Sequence, residues 1–107
     1  MPELQEREVK RGLWYYDGLL CKGVLVQAIN YDYWYELEQE EGLAEPDTAP
    51  ELNAQGEMYM LLWMDSTFTK RESFTVGLLD LEETLALADS IVRQAIEWLP
   101  SPENKSK

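Results

Sequence analysis

The chain contains no histidine, a single cysteine, and no lysine or arginine anywhere between Gly23 and Thr69. Without histidine there can be no Ser–His or Cys–His nucleophile pair and no imidazole ligand for a metal. One cysteine, Cys21, cannot close an intramolecular disulfide, so the expected compartment is reducing and cytoplasmic. Lys22 beside it would favour a thiolate, but a free cysteine within a hairpin strand reads first as a small buried hydrophobe. Apolar runs of membrane-spanning length are missing. The opening Met-Pro-Glu-Leu-Gln-Glu-Arg-Glu has no apolar core, so no secretory signal is expected. Phosphate loops are missing as well, because Gly12, Gly18 and Gly23 are spread through a hairpin and not set before a helix. Residues 47–56 lack the alternating oxygen ligands, central glycine and closing glutamate of a calcium loop. No metal or cofactor is expected.

The scarcity of positive charge is general. Nine Lys and Arg stand against 21 Asp and Glu, a formal net charge of −12. Phosphate backbones and anionic membrane surfaces are held by clustered Lys and Arg, so neither nucleic acid nor membrane is an expected partner. What is present is an ordinary globular composition, 45% hydrophobic with four Trp in 107 residues. That length supports one core and one domain, 1–107, with residues 1–8 and 100–107 expected to fray.

Asp17-Gly18 between apolar runs signals a β-hairpin, because a type I′ turn needs positive φ at both central positions. Its strands are expected at Val9–Tyr16 and Leu19–Asn30, with Lys22-Gly23 as a second possible turn. Asp32 to Gly42 reads two ways. Asp32 can cap a helix that Gly42 closes, or the alternation of Tyr31, Tyr33 and Tyr35 can continue the strand. The Glu- and Leu-rich composition favours the helix. Leu43 to Gly56, with Pro46 and Pro50, is a long acidic loop. Glu57–Asp65 is a strand with Met58, Met60, Leu62 and Met64 on one face and Tyr59, Leu61 and Trp63 on the other. A strand apolar on both sides is central, or is covered by a partner chain.

A polar turn, Thr67 to Ser73, precedes a fourth strand marked by Phe74, Val76 and Leu78. Asp80 and Glu83 form a capping box, and Pro100 forbids continuation. Between them Leu81, Leu85, Ala88, Val92, Ala95, Ile96 and Leu99 form a helical stripe. The sum is a two-layer α+β fold: an antiparallel sheet of three to four strands covered on one face by a C-terminal helix. The other face needs a second layer, and a second copy is its simplest source. A homodimer through the helix-free face or the Met/Trp strand is therefore expected.

Tyr31, Tyr33, Trp34 and Tyr35 lead directly into Glu36, Glu38, Glu40 and Glu41. Aromatic faces beside carboxylates attract cations. Four rings in one short segment cannot all point the same way, so some cover the sheet and at least one stays exposed. Carboxylates for paired acid/base work are plentiful, but nothing singles out one of them, and no enzyme is expected. The expected function is that of a small acidic binding protein engaging a basic protein partner through these eight residues. Inhibitors, immunity proteins and nucleic-acid mimics share this logic. The alternative is a small-molecule binding protein for an aromatic or cationic ligand, with a pocket of Trp34, Trp63, Met60 and Met64. The plainest reading of the acidic stretch is a solvated face.

Overall fold

A computed structural model describes residues 5–42 and 49–100 of the chain. The elements run β1 (Glu6–Tyr16), β2 (Leu20–Ile29), α1 (Tyr33–Glu41), β3 (Met58–Asp65), β4 (Arg71–Val76), α2 (Leu81–Val92) and β5 (Glu97–Trp98). The strands form one antiparallel sheet in the order β4-β3-β2-β1-β5, so the fold is the expected α+β arrangement. Of the long acidic loop, residues 43–48 lie outside the described residues, as do 1–4 and 101–107.

The hairpin closes at Asp17-Gly18, with φ of 55° and 68°, and Leu19 N–H donates to Tyr16 O at 3.0 Å. Lys22 and Gly23 pair with Trp14 and Leu13 inside the ladder, so the second possible turn is not used. β1 also takes in Glu6, Arg7 and Glu8, which belong to the segment expected to fray; they pair with Ile29, Ala28 and Gln27. β4 starts at Arg71, earlier than its apolar residues suggest, and ends at Val76, so Leu78 falls outside it. As an edge strand it needs no apolar start.

β3 is interior, as its two apolar faces require, and pairs with β2 from Lys22↔Asp65 to Ile29↔Met58. On the first face Val24, Val26, Leu61 and Trp63 pack with Ala88 and Ile96. Asp80 caps α2 by accepting Glu83 N–H at 2.9 Å. The fully buried Thr84 donates to Asp80 O at 2.8 Å and accepts Leu78 N–H at 3.0 Å. The helix then stops at Val92, seven residues short of the Leu99 that ends the apolar stripe. Arg93 turns left-handed with φ 58°, and Asp89 accepts the Ile96 N–H at 3.0 Å. Glu97 and Trp98 leave as a fifth strand against Leu13 and Gly12. Ile96 is buried as the stripe implies, but from an extended segment.

The helix-free face is closed by the chain itself. Met58, Met60, Leu62 and Met64 are all at most 9% exposed. α1 is the helix of the two readings, with Asp32 accepting Trp34 and Tyr35 N–H and Gly42 left-handed at φ 72°. Asp32 also accepts Glu51 N–H at 2.9 Å, tying the returning chain to the helix start. Tyr31, Tyr33, Leu52 and Leu79 pack on Ile29, Met58 and Met60. Further along, the turn after β3 lays Phe68 over Gly23. Asp65 organises that turn: hydrogen bonds from the Thr69 backbone and side chain and from Lys70 N–H hold its carboxyl down at about 2. Among the described residues no helix is long and apolar enough to cross a membrane.

β5 makes a specific claim on Gly12, where an added Cβ would meet Ile96 Cγ2 at 2.5 Å and Trp98 Cε3 at 2.8 Å. Gly12→Val is expected to lose about 1–3 kcal/mol through overpacking, read from urea unfolding. A variant as stable as the parent chain would show that this segment does not pack on β1.

Candidate functional site

The helical period sorts the aromatic cluster. Tyr33 turns toward the sheet and meets Phe74 edge-on, with ring centroids 5.6 Å apart. Trp34, the next residue, is 55% exposed and touches Tyr33 edge-on at 5.2 Å. Tyr31 precedes the cap and its hydroxyl donates to Glu6 at 2.9 Å. Tyr35 and Glu36 are half-buried, while Glu38, Glu40 and Glu41 are exposed. The eight expected residues thus share one region with divided roles: Tyr31 and Tyr33 build the second layer, and Trp34 with the later glutamates faces solvent.

Trp34, Glu38 and Glu41 are spaced i, i+4, i+7 and form one stripe. That stripe runs toward the helix C-terminus, where the backbone dipole is negative and the last turn holds no basic residue. Each carboxylate there costs about 0.3–1 kcal/mol at low ionic strength. The ion pairs among the described residues, Arg7–Glu57, Arg11–Glu8 and Lys22–Glu72, leave α1 out.

Behind α1 is a cavity of about 380 Å³ floored by Gln27, Met60 and Leu62 and walled by Tyr31, Tyr33, Phe74, Glu6 and Arg71. The Arg71 guanidinium lies 5.7 Å from the Phe74 ring centre. Met60 is the one member of the alternative ligand set that lines it. Trp63 is on the other face of β3, donating to Thr75 Oγ1 at 2.9 Å, and Met64 is buried beside Gly23. Strand alternation separates Trp63 from Met60 and Met64, and Trp34 stands outside. These four residues do not form a pocket.

A larger cleft, about 870 Å³, opens on the α2 face at the hairpin end. Trp14 and Trp63 floor it, meeting edge-on with centroids 6.0 Å apart. Tyr16 and Leu20 wall one side and Ile91 to Gln94 the other, with the Lys22–Glu72 pair beside them. Gln94 clamps the two walls, its amide bonding both the N–H and the C=O of Tyr15 at 2.9 Å. The Trp14 indole N–H is buried and finds no acceptor among the described residues. Sequence reasoning missed this cleft because its residues meet only through the sheet register and the early end of α2; the sole local signal is the Trp14-Tyr15-Tyr16 run before the turn. Cys21 is half-buried on β2 opposite Tyr15. Among the described residues no group of three or more His, Cys, Asp or Glu is placed to hold a metal ion.

Comparison of the chain with protein-family models, with curated proteins and with solved structures finds no match.

Tyr31 offers a direct check on this region. Partial burial, and then the hydrogen bond to the Glu6 carboxylate, push its phenol up from 10.0 to about 12. The neutral phenol is favoured in the fold, so its contribution is complete below pH 10 and is lost as pH rises through 12. Absorbance titration is expected to show one tyrosine ionising near pH 12, and Glu6→Gln to lower that value. An unchanged titration in the variant would show that the Tyr31–Glu6 contact does not form.

Proposed function

We propose that this chain is a non-enzymatic binding protein that engages a basic protein partner through the outer face of α1. The observation that carries the reading is Trp34, exposed on one helical stripe with Glu38 and Glu41, whose charges no ion pair among the described residues neutralises. A ring face beside carboxylates receives an Arg or Lys side chain. Tryptophan is also a rigid anchor that buries much area at low entropy cost. The partner's cation would relieve the repulsion between the glutamates and the negative helix end. The one-signed field of a chain at −12 would speed encounter with a basic surface. Exposed carboxylates on a convex helix lack the enclosed setting that acid/base catalysis uses, which supports binding over chemistry. The lone thiol of Cys21 supports a reducing, cytoplasmic setting.

The test is fluorescence anisotropy of a labelled oligoarginine peptide titrated with the chain. Saturable binding is expected, weakening about tenfold or more as salt rises from about 50 to about 200 mM. The triple variant Trp34→Ala/Glu38→Gln/Glu41→Gln is expected to lose about tenfold in affinity. Glu82→Gln/Glu83→Gln, at the start of α2, removes charge elsewhere and should change affinity little. Equal losses from both sets would reduce the interaction to net charge and refute a site on α1.

A further inference from the structure

We propose that the hairpin end of the molecule is a self-association surface, on which two copies pack their Trp14–Trp63 clefts against each other about a two-fold axis. Eight large hydrophobic residues are exposed among the described residues, and four of them, Tyr16, Leu19, Leu20 and Ile91, gather here, while Tyr15 lends its backbone to the cleft and alternates to the other face of β1. Leu19, at the tip of the turn, is 85% exposed. An apolar knob beside an aromatic-floored hole is the arrangement of a protein contact, because contiguous apolar surface of this kind seldom stays in water.

Charge selects the occupant. The chain as a whole carries −12, yet the residues around this cleft are Asp17, Glu72, Lys22 and Arg93, two of each sign. A basic partner would find no excess of carboxylate here, and an acidic one no excess of cations. A surface holding both signs matches a second copy of itself. In a two-fold contact, residue i meets residue j and j meets i. Lys22 and Glu72 already pair within the chain, which leaves Asp17 of one copy to face Arg93 of the other, twice. Both groups sit on fixed backbone: Asp17 in the positive-φ hairpin turn and Arg93 at the left-handed end of α2. The Gln94 amide locks those two supports together through Tyr15. The face involved is opposite to the one α1 covers, so this surface and the α1 stripe are independent.

Sedimentation velocity and light scattering on the full chain, from about 1 to about 100 μM, read the association directly. The expected result is a shift from 12.5 kDa to twice that mass, holding or strengthening as salt rises from about 50 to about 500 mM, because salt screens the repulsion between two acidic bodies. Leu19→Asp and Ile91→Glu should each weaken dimerisation at least about tenfold. Both sites are exposed, and circular dichroism checks the fold; should Ile91→Glu unfold, Leu19→Asp alone decides. Arg93→Asn, which tolerates the left-handed backbone, should weaken it less, and Trp34→Ala not at all. A 12.5 kDa species at every concentration overturns the proposal. So does a dimer indifferent to Leu19→Asp, or one that dissociates with salt as the oligoarginine complex is expected to.

Discussion

β3 has no polar side, and the architecture follows from that constraint. A strand whose two faces are both apolar must sit inside a sheet and must be covered twice. Its place between β2 and β4 meets the first demand, and α2 supplies one cover as a single amphipathic element. The second cover is assembled from pieces. Tyr31, Tyr33, Leu52 and Leu79 close the Met58 end. At the Met64 end Phe68 lies over Gly23, with the Arg11 guanidinium 4.8 Å above the ring. Pieces of this size have little packing energy of their own, so each is pinned by a polar anchor. Asp32 serves α1 and the returning chain, Asn53 bonds Leu79 O and the Glu57 N–H, and Asp65 holds the Phe68 turn.

What could be read from the sequence is what local chemistry determines. Asp17-Gly18 needs positive φ and has it; Asp32 and Gly42 bracket α1; Asp80 caps α2. The alternation along β3 places every one of its residues on the correct face. Local pattern fails where a distant segment decides. Ala95, Ile96 and Leu99 continue a helical stripe, and no glycine marks the break at Arg93. The helix ends there because Gln94 finds the Tyr15 backbone and Trp98 finds Gly12, contacts 79 residues apart in the first case. The intrachain cover of the helix-free face was illegible for the same reason: nothing within the Met strand shows that Tyr31, Tyr33, Leu52 and Leu79 will pack over it.

The aromatic and acidic segment shows how one stretch can serve core and surface together. A strand would have sent Tyr31, Tyr33 and Tyr35 to one side. In the helix Tyr33 packs on the cluster of Ile29, Met58 and Met60 and meets Phe74 edge-on, and that anchoring turns Trp34 outward. The exposed indole is therefore held by a core contact one residue away, which gives a surface ring a defined direction. The glutamates follow on the same helix because solvent is the one environment left for them. Their repulsion against the helix end is the local inconsistency in an otherwise consistent segment.

Charge and apolar exposure are kept apart in this molecule. The α1 stripe has one exposed ring among carboxylates, and the hairpin end has four exposed large hydrophobic residues among balanced charges. Mixing them would weaken both. Glutamates around Trp14 and Trp63 would have to be desolvated whenever the cleft was covered, at several kcal/mol for each unpaired ion. Apolar residues around Trp34 would dilute the field that favours a cation and would attract partners of either sign. Lys22 and Glu72 show how this is managed at the cleft: two charges close to the aromatic floor are matched to each other at 2.8 Å. An acidic chain can bring a surface out of water against a copy of itself only where its charges are already balanced, and in this fold that condition is met at the hairpin end and not on α1.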